Sequence, residues 1–130
     1  IAVDNAIVQR FFRYEEAERD LAKLLDCAEP PTAIFAANDT MGAAVYRVLR
    51  KRGLHIPGDI SVIANSEVPS AARCDPPLTT VARDFDGYVR EVRAGVENLF
   101  SGKPFGIRRV PSLLIERASV KNLNPQQKGG

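Results

Sequence analysis

Short uninterrupted apolar runs alternate along this chain with segments of helical periodicity, and that alternation limits the folds open to it. Thr32-Ala33-Ile34-Phe35-Ala36-Ala37, Ile60-Ser61-Val62-Ile63-Ala64 and Leu78-Thr79-Thr80-Val81 are each preceded by a turn signal, Pro30-Pro31, Pro57-Gly58 and Pro76-Pro77. Runs this short and this apolar suit strands buried on both faces. Between them, Met41, Ala44, Val45, Val48 and Leu49 repeat at helical spacing over residues 39–52, and Gly53 supplies a stop. Tyr14, Ala17, Leu21, Leu24 and Leu25 make an earlier stripe over 14–25, and Tyr88, Val89, Val92, Val96 and Leu99 a later one over 86–100. An opening run at 1–8, interrupted by Asp4 and Asn5, and a closing run at 110–115 complete the pattern. Strands joined through helices imply an α/β fold: a parallel three-layer sandwich with helices on both faces of one sheet.

The 130 residues fit one compact domain, or a fragment that packs against more polypeptide. Their 45% apolar and 26% charged content is that of a globular protein. No apolar run approaches the roughly 18 residues of a membrane span, so a cytoplasmic chain without membrane contact is expected. The start, Ile1-Ala2-Val3-Asp4, has neither an initiator Met nor a basic-then-apolar leader and reads as cut from something longer. Cys27 and Cys74 lack the CxxC spacing of zinc or redox sites and read as idle thiols. A net charge of +2 is too small for a nucleic-acid surface, and Arg47, Arg50, Lys51 and Arg52 read as a solvated helix end complementing the macrodipole.

The motifs of catalysis are missing. His55 is the sole histidine and stands in a turn with no Ser or Cys motif beside it, and Ser66 lacks the flanking glycines of a nucleophile elbow. Neither GxxxxGK[ST] nor GxGxxG occurs. The expectation is a binding protein with no enzymatic activity, metal or cofactor. A receiver domain would need acids clustered at strand ends and a strand-terminal Lys, which have no match here.

In parallel sheets ligands bind at the carboxyl ends of strands, which directs attention to Asn38-Asp39-Thr40 and Asn65-Ser66-Glu67. The Asn38 amide both donates and accepts, as neutral hydroxylated ligands require. The alternative is a loop amide that satisfies backbone groups ahead of a helix capped by Asp39 or Thr40.

Three stretches, PTAIFAANDTMGAA (31–44), GLHIPGDISVIANSEVP (53–69) and DPPLTTVARDF (75–85), resemble the LacI/GalR transcription regulators in content, order and spacing, and PSLLIERASV (111–120) is similar to that family's closing strand. The resemblance covers residues 8–120. It implies the C-terminal part of an effector-binding domain of the type I periplasmic-binding-protein fold. Residues 1–82 and 106–120 would form the C-terminal lobe, the helix within 85–103 would pack on an absent N-terminal lobe, and 121–130 would be a disordered tail. Operator DNA would be read only by a helix-turn-helix outside this chain. The alternative on the same fold is a solute-binding protein of a transport system, for which Asn38-Asp39-Thr40 doubles as an accidental glycosylation acceptor.

The resemblance also implies site residues. Asn38 would contact a small effector, a sugar or nucleoside. Phe12 stands where some relatives place a ring against it, with Phe11 and Tyr14 as neighbours and a core role as the alternative. Where the family commonly has Gly, an aromatic and Asp, this chain has Ala64, Asn65 and Ser66. A carboxylate at Ser66 would accept two ligand hydroxyls, so this departure points to another ligand class or to a lost response. Gly42, Ala43, Tyr46, Arg47 and Arg50 on one helix face, with Arg73 and Cys74, would form a self-complementary homodimer contact, plain solvent exposure being the alternative.

Overall fold

The computed structural model describes residues 14–65 and 68–124. The elements run α1 (Tyr14–Leu25), β1 (Ala33–Ala36), α2 (Asp39–Lys51), β2 (Ser61–Asn65), a short 3-10 turn (Ala71–Arg73), β3 (Thr79–Arg83), α3 (Phe85–Phe100) and β4 (Ser112–Ile115). The opening run at 1–8 and the end of the tail at 125–130 lie outside the described residues.

The sheet order is β1-β2-β3-β4. Strands β1 to β3 are parallel, with Ala36 opposite Ala64 and Asn65 opposite Val81. Strand β4 departs from the parallel expectation: it runs antiparallel to β3, with Arg83 opposite Ser112. The cause is topological. The chain leaves the carboxyl end of β3, makes α3, and returns to the same end without crossing the sheet, so its next strand must run back.

The core lies between α2 and one face of this sheet. Val45, Val48 and Leu49 meet Val62, Ala64, Ala36 and Ile60, and Leu49, Val62 and Ala64 lose all solvent contact. On the opposite face Phe35 is 61% exposed and Leu114 56%, so the second helix layer is not supplied by the described residues. Helix α1 adds Leu21, Leu24 and Leu25 beside α2. The basic run at the end of α2 is more than a solvated helix end. Arg47 reaches Glu18 at 2.9 Å, Lys51 the same carboxylate at 3.5 Å, and Arg52 grips Asp26 with two nitrogens at 2.6 and 2.9 Å. These exposed pairs orient α1 on α2 more than they stabilise it. Past Arg52, Gly53 takes the left-handed φ of 69° that ends the helix.

Helix α3 packs on its own return segment. Its buried glycines mark the contact: Gly87 lies against Val110 and Gly95 against the Phe105 ring, while Glu91 pairs with Arg108 at 3.1 Å. The return segment from Phe105 to Val110 thus packs against α3. Outward, Tyr88, Val89, Val92, Val96 and Leu99 are each at least 42% exposed.

Candidate functional site

Because β1, β2 and β3 are parallel, Ala36, Asn65 and Arg83 end at one edge of the sheet. Asn38 stands at that edge between β1 and α2. Its backbone is extended (φ −155°, ψ 175°) and its Oδ1 accepts the N–H of Met41 at 2.8 Å. Asn38 is itself the N-cap; the expected caps, Asp39 and Thr40, are the first two helical residues. Asn and Asp cap well because a short side chain reaches back to an orphan N–H of the first turn. Asp39 is half-buried in that turn, where a carboxylate offsets the macrodipole.

The capping bond consumes the amide oxygen and leaves Nδ2 as the group Asn38 presents. Among the described residues Nδ2 has no partner. Asn65, half-buried at the end of β2, contributes a second amide. Phe12 and Ser66, the other two expected effector contacts, lie outside the described residues. Arg83, which the sequence analysis did not single out, closes the edge. It is exposed, belongs to the same strand-end row, and makes no hydrogen bond or ion pair among the described residues. Its neighbour Asp84 is occupied: Oδ1 accepts from the Gly87 N–H at 2.9 Å and Oδ2 lies 3.7 Å from Arg90.

The expected dimer residues fall elsewhere, along α2 and the segment before β3. Ala43, Arg47, Arg50 and Arg73 are exposed and Cys74 is half-buried, its thiol 3.5 Å from the Ser70 carbonyl. Burial pushes the Cys74 thiol up from its ordinary pKa. Gly42 is misplaced in that set. It is buried on the sheet side, where an added Cβ would meet Leu78 at 3.3 Å and Ala64 at 3.4 Å. Tyr46 stands at the margin, half-buried, donating its hydroxyl to the Pro76 carbonyl at 2.8 Å. A groove of about 350 Å³ runs beside it, lined by Arg50, Leu54, His55 and Asp75 among others. From Asn38 to Arg50 the rise along α2 is about 18 Å, so groove and strand-end edge are separate.

The family model of the periplasmic binding protein-like domain matches residues 3–120. The chain is 43% identical over 111 residues to the lactose operon repressor of Rhizobium radiobacter, covering 83% of this chain and 93% of that sequence. The chain belongs to the LacI/GalR family. The HTH-type transcriptional regulator DegA of Bacillus subtilis is 36% identical over 123 residues, which is 93% of this chain and 36% of DegA. A LacI/GalR relative from Enterococcus faecium, solved with bound ribose, superposes with a TM-score of 0.72 at 29% identity, covering 87% of this chain and 42% of that one. The chain thus spans about a third of the length of DegA. Its relatives in this family are named as regulators, and the transport alternative is not favoured. No helix among the described residues is long and apolar enough to cross a membrane.

Proposed function

We propose that this chain is the effector-sensing and dimerisation part of a LacI-type transcription regulator, working in the cytoplasm and without catalytic activity. A small molecule binds at the strand-end edge built by Asn38, Asn65 and Arg83, with Phe12 and Ser66 completing the contacts. The opposite wall of the cleft belongs to polypeptide outside this chain, as do the residues that read operator DNA. Binding that favours one arrangement of the two lobes shifts the attached DNA-reading region by no more than the ligand's differential affinity.

The single observation behind this reading is that a periplasmic binding protein-like match over 3–120 coincides with a strand-end edge whose side chains keep unspent polar groups. The exposed stripe of α3 supports the two-lobe arrangement: Tyr88, Val92, Val96 and Leu99 lie open on a helix whose other side is already packed. Two copies associate through the outer face of α2 and the 73–74 segment, with Ala43 near the contact.

Isothermal calorimetry of the full-length parent with sugars, nucleosides and purines tests the sensor. Heat saturating with one class is expected, and silence from all of them overturns it. Sedimentation of Ala43→Glu tests the association: the dimer should split, and an unchanged mass removes this face from the interface.

A further inference from the structure

At the end of α2 away from the strand-end edge, the groove of about 350 Å³ beside Tyr46 is lined by segments that are each tied down. The phenol is held by the 2.8 Å bond from its hydroxyl to the Pro76 carbonyl. Past the helix stop, the Leu54 N–H donates to the Leu49 carbonyl at 3.0 Å. Next to it His55 is bound to the Asp59 carboxylate, its backbone N–H at 2.7 Å and its ring Nδ1 at 3.2 Å. Two charged side chains rise from backbone tied to the same phenol. Arg50 follows Tyr46 by one turn on the same face of α2, and Asp75 immediately precedes Pro76. The Asp75 charge is near enough to the phenol to raise its pKa further, after the larger effect of burial. Arg50 and Asp75 thus line one groove, yet they pair neither with each other nor with any other described residue.

A groove of this size falls at the small end of ligand sites, which run from about 300 to 1,000 Å³. Leu54, Ile56 and Pro76 give it apolar walls, against which an incoming charge needs a partner. With His55 engaged by Asp59, the unspent groups are one guanidinium and one carboxylate. A simple anion gains Arg50 but is repelled by Asp75, and a simple cation meets the reverse. A molecule carrying both charges satisfies both, each through a charge-assisted bond. We propose that this groove is a second ligand site, separate from the strand-end edge, for a free α-amino acid with a small apolar side chain. Its carboxylate sits on Arg50, its ammonium on Asp75, and its side chain against Leu54 and Ile56. Ala43, near the proposed contact between two copies, lies about 10 Å back along α2 from Arg50, so the groove stays open at the margin of that contact.

Calorimetry of the full-length parent compares L-valine with isovalerate, which lacks the ammonium, and isobutylamine, which lacks the carboxylate. Valine should bind at least about tenfold more tightly than either, the scale of one lost charge-assisted bond. Arg50→Gln and Asp75→Asn should each weaken valine by a similar factor, whereas Asn38→Asp, at the other end of α2, should leave its binding unchanged. Arg50→Glu makes the groove diacidic and should favour isobutylamine over valine, a gain that misfolding cannot produce. Isovalerate or isobutylamine matching valine overturns the inference, as does silence from all three. Valine binding that survives both Arg50→Gln and Asp75→Asn overturns it by placing the amino acid elsewhere. A sedimentation mass halved by Arg50→Gln, with no valine heat in the parent, overturns it by giving the groove to a second copy. None of these outcomes bears on the sensor reading, whose own test is the panel of sugars, nucleosides and purines.

Discussion

The Tyr46 hydroxyl donates to the carbonyl of Pro76 at 2.8 Å, joining the middle of α2 to the turn that feeds β3. Burial of the phenol pushes its pKa up from 10.0 to about 12, against a smaller lowering from Ser119. The folded state therefore holds this proton more tightly than the unfolded chain. The resulting stability is fully present below pH about 10 and drains away as pH rises through the interval to about 12. Tyr46→Phe should cost about 1 kcal/mol at neutral pH for the lost bond. It should also flatten the alkaline limb of the urea-unfolding profile, and a limb unchanged by the substitution would place the titration elsewhere.

Ser119 is the polar hinge pin under the sheet. It is wholly buried, its Oγ accepts the N–H of Thr79 at 2.8 Å and donates to the carbonyl of Val62 at 2.6 Å, bridging β2 and β3 from the segment after β4. Ser119→Ala orphans two buried backbone groups at about 1–3 kcal/mol each. Urea unfolding should lose several kcal/mol, whereas truncation of the exposed Val120 to Ala should lose under about 0.5 kcal/mol. Similar losses for both would mean that the bridge carries no special weight.

Much of this architecture is written locally in the chain. Helix α1 occupies the span its stripe implies, and β1 to β3 fall within two residues of their apolar runs, because Pro and Gly fix where each run starts. The direction of β4 is not local: residues 110–115 read the same in either sense, and the route around α3 decides. Asn38, Asp39 and Thr40 are all competent caps, and only the place where β1 lets go of the sheet selects Asn38. Gly42 reads as an outer-face residue because a residue without a side chain adds nothing to a hydropathy pattern, while one step along a helix turns its face by roughly 100°. Arg83 gives no sequence signal because it ends an apolar strand and matches no motif. Its place comes from the parallel run of β2 and β3, which carries it two residues past Val81, the partner of Asn65.

The Arg52 guanidinium beside Asp26 holds that carboxyl below its ordinary 3.8, despite a smaller opposing effect of burial. A depressed folded value means that the pair's contribution is present above pH about 4 and disappears as pH falls through the folded value. Both partners are on the surface, so salt should screen the effect. Arg52→Gln should lower the thermal midpoint slightly at neutral pH and low salt, and the difference should vanish in molar salt or in acid. A deficit that persists in molar salt would show that Arg52 acts through its bond to the Ala22 carbonyl at 3.2 Å instead.

Gly95 tests how firmly the return segment is seated on α3. The glycine is buried in mid-helix, and a Cβ there would overlap the Phe105 ring, with Cδ2 only 2.6 Å away. On helix propensity alone Gly95→Ala should gain about 0.8–1 kcal/mol. The overlap reverses that gain by expelling the ring, so amide exchange along α3 should quicken in Gly95→Ala. In Phe105→Ala the obstacle is gone, and adding Gly95→Ala to it should slow exchange by the recovered propensity. The two substitutions are in contact and should be non-additive by at least about 0.5 kcal/mol. Additive effects would mean that Phe105 does not occupy this seat in solution, and that the side of α3 facing the return segment is as open as its apolar stripe.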